Sequence, residues 1–235
     1  MDKIDIFSRL DELRTAVYGK PVKILPDTFL MKFEKNENRE GNGYVMRHKN
    51  RQDIIIIDGI REEHRDELTR LKESGYNVKA VLLTNVDMLD KTYADLETIK
   101  EDLGADIYIH DLDNKGGAFK NITSNPEVFQ DFGLKIIHTP GHTNGSVIIY
   151  CDFNKALFTG DSAVGSPYKE DDYYFDRPII ENDQKDLGLR ESWRTITEEF
   201  EHILPLHGKP QFDLTDDERT TILRNLIKDE STKKL

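Results

Sequence analysis

Short apolar runs recur along the chain and predict strands that are buried inside a sheet. The runs are DIIII, VKAVLLT, DIYIH, LKIIH, SVIIYC and ALFTG. Between the first three lie segments with helical spacing, one over residues 61–74 and one from Leu96 to Leu103. Each ends at a glycine, Gly75 or Gly104, which readily takes the left-handed conformation that closes a helix. This alternation predicts a fold that mixes helices with buried strands.

The two ends of the chain show weaker patterns, and we predict one domain over residues 1–235. The expected elements are a helix within residues 1–20, strands at 28–33 and 43–47, a polar loop at 34–42 between them, and helices at 192–202 and 216–228. Thr215 and Glu218 have the spacing of a capping box at the start of the last helix. That helix and a frayed tail make up residues 213–235.

Charge and cysteine content exclude several classes of protein. The formal net charge is −12, with 45 acidic and 33 basic residues, and such a surface repels phosphate backbones and acidic membranes. We therefore expect neither nucleic acid nor a membrane as a partner. The single cysteine, Cys151, lies in an apolar run and forms no internal disulfide. No signal peptide or membrane span is apparent, so we predict a cytoplasmic protein.

Polar side chains that can bind metals follow four of these apolar runs and a further run, ILPL. They are Asp58, the pair Asn85 and Asp87, His142, Asp161 and His207. A single Asp or His after a strand is usually a turn former. Five such positions together predict that side chains converge at one edge of the sheets, where a rigid scaffold places functional residues.

Three of these turns resemble the metallo-β-lactamase fold superfamily. His142 lies in TPGHTNGS, Asp161 in LFTGDS and His207 in LPLHGKP, in the order that the family shows. Asp58 in IIIIDG is similar to the acidic turn with which the family pattern begins. The resemblance covers residues 30–210 and implies an α+β fold, a four-layer αββα sandwich with a shallow metal site at one edge.

The turn at residues 84–90 departs from that resemblance. Family members carry THxHxDH here, whereas this chain reads TNVDMLD and contains no histidine in the turn. Asn85 and Asp87 keep the spacing of the first two ligands, and Asp90 keeps an oxygen at the last. Leu89 replaces a carboxylate with a side chain that cannot bind a metal. The turn therefore carries a degenerate version of the ligand motif.

Two interpretations of this turn stay open. In the first, carboxylates replace imidazoles in a site for one divalent ion, with manganese, iron or magnesium suited better than zinc. The ligands would be Asp87, Asp90, His142, Asp161 and His207, with Asp58 and Asn85 orienting them. In the second, no metal binds, because Asp87 caps a helix, Asp90 lies in its first turn, and Met88 and Leu89 pack in the interior.

The resemblance implies a hydrolase that acts on a small-molecule ester, thioester or phosphoester, with Asp161 and Asp87 as catalytic residues. Tyr173, Tyr174 and Arg177, in the long segment after Asp161, are predicted to contact the substrate. One alternative is a metal-free pseudoenzyme that serves as a binding module. A nuclease is a weaker alternative, because the acidic chain has no basic track. Homodimer formation is left open.

Overall fold

A computed structural model describes residues 6–36, 39–89, 96–178 and 183–229. The helices in these ranges are α1 Ile6–Thr15, α2 Arg65–Glu73, α3 Leu96–Leu103, α4 Glu127–Asp131, α5 Asp183–Arg194 and α6 Asp216–Ile227. The strands are β1 Pro21–Leu25, β2 Thr28–Asn36, β3 Arg39–Arg47, β4 Asp53–Ile57, β5 Asn77–Leu82, β6 Asp106–Ile109, β7 Lys120–Asn121, β8 Leu134–His138, β9 Val147–Cys151, β10 Ala156–Gly160, β11 Val164–Gly165, β12 Phe175–Asp176 and β13 His202–Pro205.

The strands form two main sheets. The first contains seven strands in chain order from β1 to β7, antiparallel as far as β4 and parallel from there on. The second has the order β13-β10-β9-β8, with β13 parallel to β10. A short ribbon of β11 and β12 stands apart from both. The parallel pairs of β4 with β5 and of β5 with β6 are joined by long crossovers that contain α2 and α3.

The two sheets pack face to face over a shared apolar core. Ile55 and Ile57 of β4 belong to the same buried cluster as Ile149 of β9 and Phe158 of β10. The rings of Tyr44 and Phe158 meet edge to face across this interface, with centroids 5.0 Å apart. Successive strand residues point to opposite faces, so the intervening residues of β4 must be covered on the other side.

Helices provide that cover on both outer faces. Ile54 and Ile56 of β4 pack in a second cluster with Leu68 of α2 and Leu103 of α3. The outer face of the second sheet forms a third cluster with α5 and α6, whose members include Ile148, Leu157, Leu189, Trp193 and Ile222. Because β4 and β9 are buried on both faces, their sequences are continuous apolar runs. The layers confirm the predicted αββα sandwich.

One prediction about local structure is wrong, and one strand was not predicted. The polar loop expected at residues 34–42 is the end of a hairpin, in which β2 and β3 pair as far as Asn36 and Arg39. Ladder hydrogen bonds to the partner strand outweigh the weak strand preference of these polar residues. In addition, β1 forms at Pro21–Leu25, where no strand was expected, by pairing with β2.

The helix predicted at 192–202 is also placed incorrectly. It is the last part of α5, which ends at Arg194, and His202 begins β13. The apolar run in β13 pairs with β10 in the sheet, so residues before it cannot continue a helix. The capping box at α6 is confirmed: Thr215 Oγ1 accepts a hydrogen bond from Glu218 N, and Glu218 accepts one from Thr215 N.

Parts of the predicted terminal elements lie outside the described residues. These are residues 1–5 of the N-terminal segment and residues 230–235 of the tail. No helix among the described residues is long and apolar enough to cross a membrane.

The layered core predicts a clear contrast between two apolar positions. Ile149→Ala removes a fully buried side chain between the sheets and is expected to lower the free energy of unfolding by about 2–5 kcal/mol. Val17→Ala, at a side chain that is 68% exposed, is the control and is expected to change it by less than about 0.5 kcal/mol. Urea denaturation of both variants measures the difference. Equal effects would contradict the assigned layers.

Candidate metal centre

The turns that carry the predicted ligands meet at one edge of the sandwich. Strands β8, β10 and β13 run in the same direction, so the turns that follow them share an edge. The turn after β5 in the first sheet reaches this edge as well. Val147 N, at the start of β9, donates a hydrogen bond to Thr84 O over 2.9 Å. The backbone thus connects the two sheets beside the candidate ligands.

Three predicted ligands form a tight cluster. The ligand atoms of Asp87, His142 and Asp161 all lie within 4.8 Å of one another. His142 Nε2 is 3.2 Å from Asp87 Oδ2 and 3.7 Å from Asp161 Oδ2. Asp161 is 4% exposed, whereas Asp87 lies at the surface. The cluster is therefore open on one side and buried on the other, as a substrate-accessible centre requires.

His207 extends the cluster from the other side of Asp161. Its Nε2 atom lies 3.6 Å from Asp161 Oδ1, so the two oxygens of this carboxylate face different imidazoles. His207 Nδ1 is 3.2 Å from the carbonyl oxygen of Glu40. A carbonyl only accepts hydrogen bonds, so this contact places a proton on Nδ1. Nε2 is the ring nitrogen that faces Asp161.

The turn after β5 has Asn85 where the family pattern begins with a ligand. Asn85 Oδ1 accepts a hydrogen bond from Asp87 N over 3.0 Å, and Asn85 Nδ2 donates one to Asp161 Oδ2 over 3.2 Å. Asn85 thus provides the capping contact that one interpretation assigned to Asp87. Residues Val86–Leu89 form a 3₁₀ turn, and Leu89 packs against the outer core of the first sheet. Asp90 lies outside the described residues.

A packed turn presents His142. Gly141 has φ +148°, and a Cβ atom there would lie 2.2 Å from the backbone nitrogen of Leu189 in α5. Ser192 Oγ, also in α5, donates a hydrogen bond to Pro140 O over 2.8 Å. Within the turn, Thr143 N donates to Ser146 Oγ over 2.9 Å. These contacts explain why a small residue precedes His142 and why the turn has a defined conformation.

Asp58 supports the turn without belonging to the cluster. It is buried with φ +51°, and it accepts hydrogen bonds from Thr84 N over 2.9 Å and Thr84 Oγ1 over 2.8 Å. Burial raises the pKa of its carboxyl from 3.8 to about 7, and repulsion from Asp161 adds to the effect. The bonds from Thr84 and the charge of Arg61 act in the opposite direction. Asp58 therefore fixes the backbone just before Asn85.

The residues predicted to contact substrate are placed differently from one another. Tyr173 and Tyr174 are exposed, and the Tyr173 ring lies 4.3 Å from Lys209 Nζ, two residues after His207. Arg177 is buried, and its guanidinium donates to the carbonyl oxygens of Leu226 and Lys228 at the end of α6. These hydrogen bonds explain why an arginine is buried at position 177 without any contact to a substrate. Substrate contact by these residues stays an untested prediction.

Sequence reasoning did not single out Asp113, which contacts the turns of both Asp87 and His142. It favours surface or packing roles for His110 and His138, which are the two remaining histidines at strand ends within reach of the site edge. Their rings stack with centroids 4.1 Å apart, and His138 Nε2 lies 2.9 Å from Asn144 O in the His142 turn. Burial and then the adjacent His138 lower the pKa of His110. The available signal for Asp113 was its position shortly after the apolar run DIYIH.

Comparison with known proteins supports the predicted family. Residues 123–212 match the family model described as the metallo-beta-lactamase superfamily. The match includes the turns of His142, Asp161 and His207, and it begins after the altered turn at residues 84–90. A search of curated protein sequences gave no match.

Solved structures show the same fold over most of the chain. The DIM-1 metallo-beta-lactamase is 14% identical with a TM-score of 0.60 and covers 88% of this chain and 94% of its own. The metallo-beta-lactamase from Hirschia baltica is 16% identical with a TM-score of 0.60, and the match covers 88% of this chain and 95% of that protein. A metallo-beta-lactamase family protein from Thermus thermophilus is 18% identical with a TM-score of 0.57, and the match covers 87% of this chain and 79% of that protein. These likenesses confirm the predicted metallo-β-lactamase fold.

The donor atoms present are compatible with the divalent ion that such a fold implies. Two ligand atoms held at about 2.1 Å from one ion in tetrahedral geometry lie about 3.4 Å apart. The distances of 3.2 and 3.7 Å from His142 Nε2 to Asp87 and Asp161 are close to this value. One imidazole and two carboxylates also suit manganese or iron. The described residues therefore fit one ion at Asp87, His142 and Asp161.

The raised pKa of Asp58 predicts a pH dependence of stability. Because the folded protein holds this proton up to about pH 7, while an unfolded carboxyl loses it near 3.8, the contribution of Asp58 declines as pH rises through that window. Asp58→Asn cannot ionise. It is therefore expected to gain stability relative to the native protein between these pH values, by on the order of 1–4 kcal/mol.

Urea unfolding of the two metal-free proteins over this pH range measures the effect. Other titrating groups are common to both proteins and cancel in the difference. A difference that is constant with pH, or that falls as pH rises, would contradict the assignment.

Proposed function

We propose that this protein is a metal-dependent hydrolase that cleaves a small-molecule ester, thioester or phosphoester at a site for one divalent ion. The observation that carries the proposal is the cluster of ligand atoms from Asp87, His142 and Asp161. Membership in the fold superfamily supports hydrolase-like chemistry in general. The net charge of −12 disfavours nucleic acid as the substrate.

Asp87, His142 and Asp161 would hold the ion, which is manganese, iron or zinc in this proposal. When bound, such an ion lowers the pKa of a water molecule and polarises a carbonyl or phosphoryl group. Asp161 and Asp87 are the proposed catalytic carboxylates. Asn85 keeps Asp161 in place through its amide hydrogen bond to Oδ2, and it holds the backbone of Asp87 through Oδ1.

His207 has the properties of a proton acceptor beside this site. Its Nδ1 atom lies 3.2 Å from the Glu40 carbonyl oxygen, and its Nε2 atom lies 3.6 Å from Asp161 Oδ1. A proton taken up at Nε2 would be stabilised by that carboxylate. The same nitrogen is also a suitable metal ligand, which is the role that the sequence predicted for His207, together with Asp90.

The exposed residues Tyr173 and Tyr174 are the proposed contacts for the substrate. Gly165 N in β11 donates a hydrogen bond to His207 O over 2.9 Å, which fixes the start of the following segment next to the His207 turn. Tyr173 packs over Lys209 in that same turn, and Tyr174 is exposed beside it. We propose that these two rings contact the non-reacting part of the substrate.

A metal-free binding module is the second candidate, and Leu89 favours it. Leu89 occupies a ligand position of the family pattern and packs against the apolar cluster of the first sheet. A leucine at this position supplies no metal ligand. In this candidate the edge of the sandwich binds a small molecule without cleaving it. Metal content separates the two candidates.

Metal retention is the first test. Protein purified without a metal-chelating column and offered zinc, manganese and iron separately is expected to retain one ion per chain, measured by elemental mass spectrometry. His142→Ala and Asp161→Ala each remove a donor from the cluster and are expected to lose the ion. Asp152→Asn, at an exposed carboxylate paired with Lys155, is the control. Absence of retention in the native protein would favour the binding module.

Hydrolysis is the second test. The metal-loaded protein is expected to cleave at least one compound in a panel of small esters, thioesters and phosphoesters. Asp161→Ala is expected to abolish turnover, because it removes the buried carboxylate that faces both His142 and His207. Circular dichroism checks that the variant is folded. Native turnover in a folded Asp161→Ala protein would overturn the assignment of Asp161.

A further inference from the structure

We infer that Asp113 is a positioning residue that holds the turns of Asp87 and His142 at the separation needed for a shared ion, an inference that rests on the proposed function. Asp113 is 3% exposed and lies in the turn after β6. Its carboxylate accepts three hydrogen bonds: from Val86 N over 3.0 Å, from Thr143 Oγ1 over 2.5 Å and from Gly145 N over 2.9 Å.

These donors belong to two different ligand turns. Val86 immediately precedes Asp87 in the turn that follows the first sheet's β5. Thr143 immediately follows His142, and Gly145 lies further along the same turn, which follows β8 of the second sheet. One carboxylate group therefore joins backbone segments on both sides of the 3.2 Å contact between Asp87 and His142. Ionised acceptors make shorter and stronger hydrogen bonds than neutral ones, so this connection is stiff.

The His142 turn has a glycine, Gly145, at the point where Asp113 packs against it. A Cβ atom at Gly145 would lie 2.6 Å from Asp113 Cγ and 2.9 Å from Asp113 N. Both distances are too short for a carbon atom, so glycine is required for Asp113 to reach the turn. The turn of Asp113 is held in its own place, because Asp113 N donates a hydrogen bond to His110 O over 2.9 Å.

The two turns also have a contact that is independent of Asp113. Val147 N donates to Thr84 O over 2.9 Å, and this backbone bond joins the sheets beside the site. Loss of the Asp113 carboxylate should therefore leave the fold intact while allowing Asp87 and His142 to move apart. This separates a positioning role from a purely structural one, which would appear only as lower stability.

Asp113→Asn tests the inference with little change in shape. An amide has one acceptor oxygen and turns its NH₂ group toward N–H and O–H donors, so the three hydrogen bonds cannot all persist. We expect the dissociation constant for manganese or zinc, measured by calorimetric titration, to rise by about 10–100-fold. Asp111→Asn is the matched control, because Asp111 is exposed in the same turn and its contact is to Asn121. Its dissociation constant is expected to equal that of the native protein.

Gly145→Ala is a second variant that keeps the carboxylate and displaces it by steric contact. Its dissociation constant is expected to rise as well. Both variants are compared with native protein below their melting temperatures, where a lower stability alone leaves metal affinity unchanged. Native affinity in folded Asp113→Asn and Gly145→Ala proteins would overturn the inference, as would an equal loss of affinity in Asp111→Asn.

A readout without metal keeps this inference separate from the proposed function. In the metal-free protein, the amide protons of Val86 and Gly145 should resonate downfield because they bind a carboxylate, and both should shift upfield in Asp113→Asn. If the native protein bound no metal but showed these shifts, the proposed function would fail while the connection through Asp113 would stand. Unchanged resonances of Val86 and Gly145 in Asp113→Asn would overturn that connection.

Discussion

The backbone around Thr84 is the junction on which the candidate site depends. Its amide and hydroxyl donate to Asp58, while its carbonyl accepts a hydrogen bond from Val147 in the second sheet. Gly160, just before Asp161, approaches so closely that a Cβ atom would lie 2.3 Å from Thr84 Oγ1. Hydrogen bonds and tight packing thus determine where the turn of Asp87 meets the turn of Asp161. A displacement at this point would separate ligands that come from different sheets.

Negative charge is the second constraint on the site. Asp58 is buried close enough to Asp161 for their repulsion to contribute to its pKa of about 7. Replacing imidazoles by Asn85 and Asp87 gives the turn fewer neutral donors and more carboxylate than the family pattern has. A divalent ion would balance this charge, which gives a physical reason why Asp87 and Asp161 can stay close to His142.

The parts of the fold that were predictable are those that local pattern controls. Strands β4 and β9 are buried on both faces, so their apolar runs identify them directly. The start of α6 follows from the hydrogen bonds of Thr215 and Glu218, which are close in sequence. The hairpin of β2 and β3 was misread because its polar residues take strand geometry by pairing with the partner strand, which no local apolar pattern indicates.

The residues of the candidate site also fall into two groups: those that local sequence predicts and those that only the tertiary structure shows. The amino-acid sequence by itself determined the fold family and the turns of His142, Asp161 and His207, because glycine and proline shape those turns locally. Only the tertiary structure decided that Asn85 orients Asp161, that Asp113 joins two ligand turns, and that Arg177 binds the end of α6. Each of these contacts joins residues far apart in the chain, so no local pattern encodes it. Their geometry follows from the packing of one sheet on the other.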